Sequence, residues 1–176
     1  MCCLLFMANR GIAQTIKPFN GPFPVPPANT NSLFYMQRTI NRNTLIYEAN
    51  YSTDGNINRK KPIKIYWIDY EDGEKISELT YAQNKFAYGV KAFEIEGTQP
   101  LFKINLVSYK KVDLYLKPKA LGGYAIHVIL KGKPCILHRV LVNITGGSSL
   151  NPDVSDVELT GKDISTGEQV MEKFKP

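Results

Sequence analysis

Short segments in which apolar and polar residues alternate recur along this chain, and Gly, Pro, Asn and Asp separate them. In one such segment Phe102, Ile104 and Leu106 fall on one side, whereas Lys103 and Asn105 fall on the other. A two-residue period places one side of a segment in a core and the other in water, which is the geometry of a β-strand. The pattern therefore predicts a mainly antiparallel all-β fold.

Most of the alternating segments carry strand signals, and one further segment has the spacing of a helix. The expected strands cover residues 33–39, 45–51, 63–70, 93–96, 101–109, 112–117, 124–130, 135–145, 154–160 and 169–174. Leu79, Ala82, Phe86 and Val90 recur at helical intervals, so one short helix is expected at about 78–88. The sequence thus predicts an antiparallel barrel or sandwich of about nine or ten strands with one short helix.

The chain divides into a leader and one domain. Residues 1–13 are similar to the remnant of a secretory signal peptide, because an apolar run precedes small residues at Gly11 and Ala13, where a cut would follow. The alternative is an uncleaved cytosolic N-terminus. Residues 14–31 form a proline-rich leader, since proline favours extended backbone without sheet hydrogen bonds. Residues 32–176 form a single β domain.

Composition argues against several classes of function. The formal net charge is +6, but basic residues cluster in predicted loops at 59–61 and 110–111, and no nucleic-acid-binding motif is present. No segment is long and apolar enough to form a transmembrane helix. Because the chain also lacks a nucleophile elbow, a zinc-protease motif, a phosphate-binding glycine loop and a paired-cysteine motif, we expect no cofactor and favour binding over catalysis.

The two histidines of the chain, His127 and His138, flank a predicted hairpin loop. Pro134 lacks an N–H, which favours a four-residue loop over a two-residue turn and places His127 directly opposite His138. Such a pair could hold a metal ion, or it could act in a hydrolase or lyase with Glu48 or a tyrosine assisting. The alternative is a pair of stacked imidazoles, because spacing supplies no third metal ligand.

A second group of residues predicts ligand binding. Alternation places Arg38 on the same face as Tyr47, and nearby segments carry Trp67 and Tyr88. An arginine among aromatic side chains can bind a carboxylate or sulfate, because its planar fork matches two oxygens. Arg38, Tyr47, Trp67 and Tyr88 are therefore the predicted contacts for a ligand. The alternative is that the head of Arg38 lies in water at a strand end and that the aromatic residues form core.

Several strings along most of the chain form a recognisable set. The strings are Phe23-Pro24-Val25-Pro26, Leu33-Phe34-Tyr35-Met36-Gln37-Arg38, Asn43-Thr44-Leu45-Ile46-Tyr47-Glu48-Ala49-Asn50, Asp54-Gly55, Tyr66-Trp67-Ile68, Phe86-Ala87-Tyr88-Gly89, Leu159-Thr160-Gly161 and Thr166-Gly167. Together they resemble a bacterial family described as domain of unknown function 4833. The resemblance implies an exported bacterial protein, periplasmic or extracellular. It implies no activity, cofactor or catalytic residue.

Three hypotheses for function follow from the sequence. The first is an exported envelope protein that binds a small amphipathic or apolar ligand inside a β-barrel. The second is a hydrolase or lyase that uses His127 and His138. The third is a protein-interaction module of the cell envelope, which would use the proline-rich leader or an exposed sheet edge.

Overall fold

The computed structural model describes residues 19–97, 99–147 and 152–175. Its strands are β1 Ser32–Arg38, β2 Thr44–Ala49, β3 Ile63–Asp69, β4 Lys75–Glu78, β5 Val90–Ile95, β6 Leu101–Leu106, β7 Leu114–Pro118, β8 Tyr124–Leu130, β9 Lys133–Gly147, β10 Pro152–Asp163 and β11 Gln169–Phe174. The short helix is a π-helix at Gln83–Tyr88. The fold is therefore all-β with one short helix, which confirms the prediction from alternation.

The eleven strands belong to a single curled sheet. Their order is β4-β3-β2-β1-β9-β8-β7-β6-β5, and β10 pairs with both β9 and β11. The sheet is mixed, because β1 runs parallel to β9 with Tyr35 opposite Arg139. The curl produces a half-barrel and brings its two ends towards each other, so that Arg59 before β3 forms a 3.1 Å ion pair with Glu94 of β5.

The concave face of the half-barrel holds the hydrophobic core. Phe102, Ile104 and Leu106 of β6 are buried there, as their alternation predicts. On the facing strands the rings of Phe34 and Tyr47 stack with centroids 4.2 Å apart. Burial of each large apolar side chain contributes about 1.5–3 kcal/mol, so the concave face supplies most of the free energy that holds the sheet in its curl.

The convex face of β1 and β2 is covered by the proline-rich leader. The side-chain amide of Gln37 donates to the carbonyl oxygen of Pro24 at 2.7 Å, and the amide of Asn29 donates to the carboxylate of Glu48. Strand β2 is buried at every position, because the core covers one face and the leader side covers the other. The predicted signal remnant at 1–13 lies outside the described residues.

The hairpin between β8 and β9 differs from the prediction. Lys133 lies opposite Leu130, so the loop contains two residues and His127 lies opposite Ile136 rather than His138. Both loop residues have positive φ, 48° at Lys131 and 74° at Gly132, as the favoured two-residue hairpin turn requires.

Pro134 does not prevent this turn. Its carbonyl oxygen accepts a hydrogen bond from the amide of Ile164 at 3.0 Å, so the backbone polar groups of Pro134 face away from β8. Its missing N–H therefore removes no bond from the hairpin. The predicted direct pairing of the two histidines is wrong for this reason.

Candidate ligand-binding site

The guanidinium of Arg38 lies between two aromatic rings at the end of β1. Its central carbon is 4.7 Å from the centroid of the Trp67 ring and 5.3 Å from that of the Tyr88 ring. Its Nη1 also donates a hydrogen bond to the Tyr88 hydroxyl. Because a cation over an aromatic face contributes about 0.5–2 kcal/mol, these contacts hold the arginine head against the concave wall.

Tyr47 completes this group from the floor of the half-barrel. Its side chain is fully buried, and its hydroxyl donates to the backbone oxygen of Tyr88 at 2.8 Å. Burial raises the pKa of Tyr47 well above its usual range, so the phenol stays neutral and remains a donor. The Trp67 and Tyr88 rings meet edge to face with centroids 5.2 Å apart. The structure therefore brings all four predicted residues together, although Arg38 and Tyr88 line the pocket beside them and Tyr47 and Trp67 do not.

The short helix sets the position of Tyr88. Thr80 and Gln83 exchange side-chain to backbone hydrogen bonds at 2.9 and 3.3 Å, which is the reciprocal pattern of a capping box at a helix start. At the other end, a Cβ on Gly89 would overlap with the backbone oxygen of Asn84. Only glycine lets the chain pass this close to the helix and enter β5, so Gly89 fixes where Tyr88 points.

A pocket of about 270 Å³ lies beside Arg38, and we refer to it as the Arg38 pocket. Its wall is mainly aliphatic and comes from β1, β6, β9 and β10. The aliphatic lining includes Met36, Leu106, Val140, Val142, Ile144 and Val157. Phe86 is 68% exposed at the rim. Such a largely apolar concavity with a few polar groups is typical of a small-molecule site.

Two buried polar atoms of the Arg38 pocket lack hydrogen-bond partners. Within the described residues, the unpartnered buried side-chain nitrogen and oxygen atoms are Nε of Arg38 and the hydroxyl of Tyr109, and both residues line this pocket. Burial raises the pKa of Tyr109, so its phenol is also neutral. An unpartnered buried polar group costs about 1–3 kcal/mol, so an occupant that paired with both atoms would recover that free energy.

No carboxylate neutralises Arg38 among the residues that the structure describes. Its hydrogen-bond acceptors are the Tyr88 hydroxyl and the side-chain oxygen of Asn41 at 3.4 Å, and both are uncharged. The Arg38 pocket therefore contains one positive charge among apolar side chains. This arrangement favours an anionic acceptor.

Sequence reasoning missed Tyr109, Ser108 and the valines of β9 and β10 that line the pocket. The predicted strand over 101–109 would place Tyr109 on the same face as Lys103 and Asn105, whereas β6 ends at Leu106 and Tyr109 lies in the loop that follows. The β9 wall reaches Arg38 only because β9 pairs with β1 in parallel, with Val142 opposite Arg38. Neither relation leaves a local signal in the sequence.

The structure does not place the two histidines directly opposite each other. His127 is half-buried on β8 beside Lys117 and Tyr115 in a different concavity. His138 is exposed on the same face of β9, two residues beyond Ile136, which lies opposite His127. Burial is the main factor that lowers the pKa of His127, and Lys117 adds to it. Partial desolvation of its ring, together with Lys162, lowers the pKa of His138. Within the described ranges no three His, Cys, Asp or Glu side chains form a metal-binding group.

Glu48 does not join the histidines. It lies on the convex face of β2, and β1 and β9 separate that strand from β8 in the sheet. Its carboxylate accepts hydrogen bonds from the Tyr66 hydroxyl at 2.8 Å and from the Asn29 amide. These contacts give Glu48 a place in the packing of the leader against the sheet.

The fold and the pocket define an all-β half-barrel whose concave face encloses a small, mainly apolar pocket with one arginine. The chain belongs to the family described as domain of unknown function DUF4833, whose sequence model matches residues 34–173, and this confirms the resemblance seen in the sequence. Comparisons with curated proteins and with solved structures found no significant match. Among the residues that the structure describes, no helix has the length and apolar character needed to cross a membrane.

Proposed function

We propose that this protein binds a small amphipathic or apolar ligand in the Arg38 pocket. The observation that carries the proposal is a mainly apolar pocket lined by two residues, Arg38 and Tyr109, that each have a buried polar atom without a partner. A structural arginine would be expected to have its N–H groups paired, because buried polar groups in folded proteins almost always are. Here the lining offers apolar contact beside two side chains whose hydrogen-bonding capacity is not fully used.

The size of the pocket limits the ligand. An apolar cavity of about 150 Å³ holds benzene, so a pocket of about 270 Å³ accommodates roughly ten non-hydrogen atoms. A compact aromatic or a medium-length aliphatic chain fits this limit, whereas a long-chain lipid would extend past Phe86 into solvent.

We propose further that the protein is exported, so that the ligand is an envelope or extracellular compound. The support comes from the apolar run and the small residues at Gly11 and Ala13, which lie outside the described residues. N-terminal sequencing of the full chain expressed in a bacterium should find Gln14 first in the periplasmic fraction. Recovery of the uncut chain from the cytoplasm alone would contradict export and leave the pocket proposal standing.

A thermal unfolding screen tests ligand binding. Medium-chain acids, alcohols and amides should raise the melting temperature, because a ligand that binds only the folded state stabilises it by mass action. Polar compounds of the same mass, such as sugars, should not. Val142→Phe should abolish the shifts by filling the pocket, whereas Val112→Phe, at a half-buried valine outside this pocket, should preserve them.

Absence of any shift, together with native mass spectra that show no bound compound in the purified protein, would overturn the proposal. The hydrolase or lyase hypothesis gains no support from the geometry, because the two histidines are not directly paired and Glu48 lies on another strand. The docked leader weakens the interaction hypothesis, because the Pro24 carbonyl oxygen already accepts a hydrogen bond from Gln37 and is not free for a partner protein.

A further inference from the structure

The charge in the Arg38 pocket identifies the class of ligand, and this inference rests on the proposed function. We infer that the ligand is a monocarboxylate with an apolar body of medium length. The guanidinium of Arg38 would bind the carboxylate, and the aliphatic walls from β6, β9 and β10 would enclose the body.

The guanidinium of Arg38 keeps N–H groups that can bind a carboxylate. Nη1 donates to the Tyr88 hydroxyl and Nη2 reaches Asn41 at 3.4 Å. Each terminal nitrogen carries two N–H groups, so each keeps one that these contacts do not use. Two adjacent N–H groups match the two oxygens of a carboxylate.

The charge balance favours a carboxylate over a phosphate. Arg38 supplies the one positive charge among the residues that line this pocket in the described part of the chain. One cation neutralises one negative charge, and a second buried negative charge would be left uncompensated at a cost of several kcal/mol. A phosphate monoester carries close to two charges at neutral pH, whereas a carboxylate carries one.

Tyr109 supplies a second hydrogen bond. Its hydroxyl lacks a partner, and Tyr109 lines the same small pocket as Arg38, so one compact ligand would lie next to both side chains. The neutral phenol donates to a carboxylate oxygen without bringing charge. A neutral ligand could also accept from Tyr109, but it would leave the Arg38 charge without a counterion.

The test compares octanoate with octanamide, which has the same shape and no charge, by isothermal titration calorimetry on the full chain. Octanoate should bind at least tenfold more tightly than octanamide to the unmodified protein. Equal affinities would overturn the carboxylate inference and leave the proposed function intact. Failure of both compounds to bind, when the thermal screen also finds no ligand, would overturn the proposed function itself.

Substitutions test whether Arg38 and Tyr109 cause the preference for octanoate over octanamide. Arg38→Gln should reduce the tenfold difference to less than threefold by weakening octanoate alone, and Tyr109→Phe should weaken octanoate severalfold. Arg42→Gln is the matched control, because Arg42 is exposed in the adjoining loop, and it should keep the tenfold difference. A preference that survives in Arg38→Gln would contradict the assignment. Because the comparison in the unmodified protein needs no variant, the inference stays testable even if Arg38→Gln does not fold.

Discussion

The arginines on the two faces of the sheet near β1 differ in whether their Nε atom has a hydrogen-bond partner. On the convex face, Nε of Arg139 donates to the side-chain oxygen of Gln37 at 2.9 Å, and its guanidinium lies 5.5 Å from the centroid of the Phe23 ring. On the concave face, Arg38 also lies over aromatic rings. Its Nε, however, has no partner among the described residues.

The difference distinguishes a polar network whose hydrogen bonds are all made within the protein from a site whose donors remain available to a ligand. Gln37 is buried and makes hydrogen bonds to the leader, to Thr44 and to Arg139, so the convex face meets its hydrogen-bond requirements from the chain itself. The concave face leaves donors unused in a pocket. We therefore expect substitutions on the convex face to change the free energy of unfolding and substitutions in the Arg38 pocket to change binding.

The largest effect on stability is expected from Gln37→Leu. Leucine fills a similar volume but leaves the Pro24 carbonyl and Nε of Arg139 without their partner. The free energy of unfolding should fall by about 2–4 kcal/mol, measured by urea unfolding. Gln169→Leu, at an exposed glutamine on β11, should change it by less than about 0.5 kcal/mol. Similar values for both variants would remove the distinction between the two faces.

Gly89→Ala should affect both stability and binding. The new Cβ would collide with the backbone oxygen of Asn84, so the helix end and Tyr88 must move. We expect a loss of about 1–3 kcal/mol and at least a tenfold loss of octanoate affinity. Gly97→Ala should preserve both quantities, because a Cβ there has only a distant neighbour at 3.9 Å. Unchanged binding in Gly89→Ala would show that the Tyr88 position is not critical.

A pair of tyrosine substitutions makes the comparison most directly. Tyr66→Phe on the convex side removes the 2.8 Å hydrogen bond to Glu48 and should destabilise the fold by about 1–2 kcal/mol. Tyr109→Phe removes a buried hydroxyl that has no partner, so it should not lower stability and should raise it by up to about 1–3 kcal/mol. Parallel thermal unfolding measures both. A larger loss in Tyr109→Phe than in Tyr66→Phe would contradict the division.

The smallest effect is expected from pH. The pKa of His127 and that of His138 are lowered, mainly by burial, so the unfolded chain binds protons more readily than the folded one. Stability should therefore decline slightly as the pH falls below about 6.5. Octanoate affinity should stay within twofold between pH 7.5 and 6, because neither histidine lines the Arg38 pocket. A steep loss of affinity would place a titrating group in the site.

Alternation predicted the strands and placed Arg38 on one face with Phe34, Met36 and Tyr47, because it fixes which face each side chain occupies. Trp67 and Tyr88 were predicted only from the density of aromatic residues in nearby segments. Strand β4 at Lys75–Glu78 was missed because all four of its residues are exposed, so no apolar side marked it. Alternation shows which face of a strand is buried, and it gives no information about a strand whose two faces are both exposed to solvent.

Register and distant pairing were beyond local inference. The absence of an N–H at Pro134 favoured a longer loop and the wrong histidine pairing, whereas the observed turn leaves Pro134 outside it and has a positive φ at Lys131, a conformation that lysine seldom adopts. The pocket wall depends on the parallel pairing of β1 with β9, which no spacing encodes. Tyr109 could be recognised as a site residue only after that wall was in place.

The parallel pairing of β1 with β9 also sets the order in which the fold can be completed. The amide of Ile144 bonds to the hydroxyl of Thr39 at 2.7 Å across 105 residues of sequence. A chain emerging from the ribosome can fold β1 to β4 first, but the free edge of β1 must stay open until β9 has been made. Contacts between such distant residues slow folding, and an open strand edge invites pairing with other chains. This topology therefore requires that the open edge of β1 in the newly made chain be kept from pairing with neighbouring chains until β9 is available.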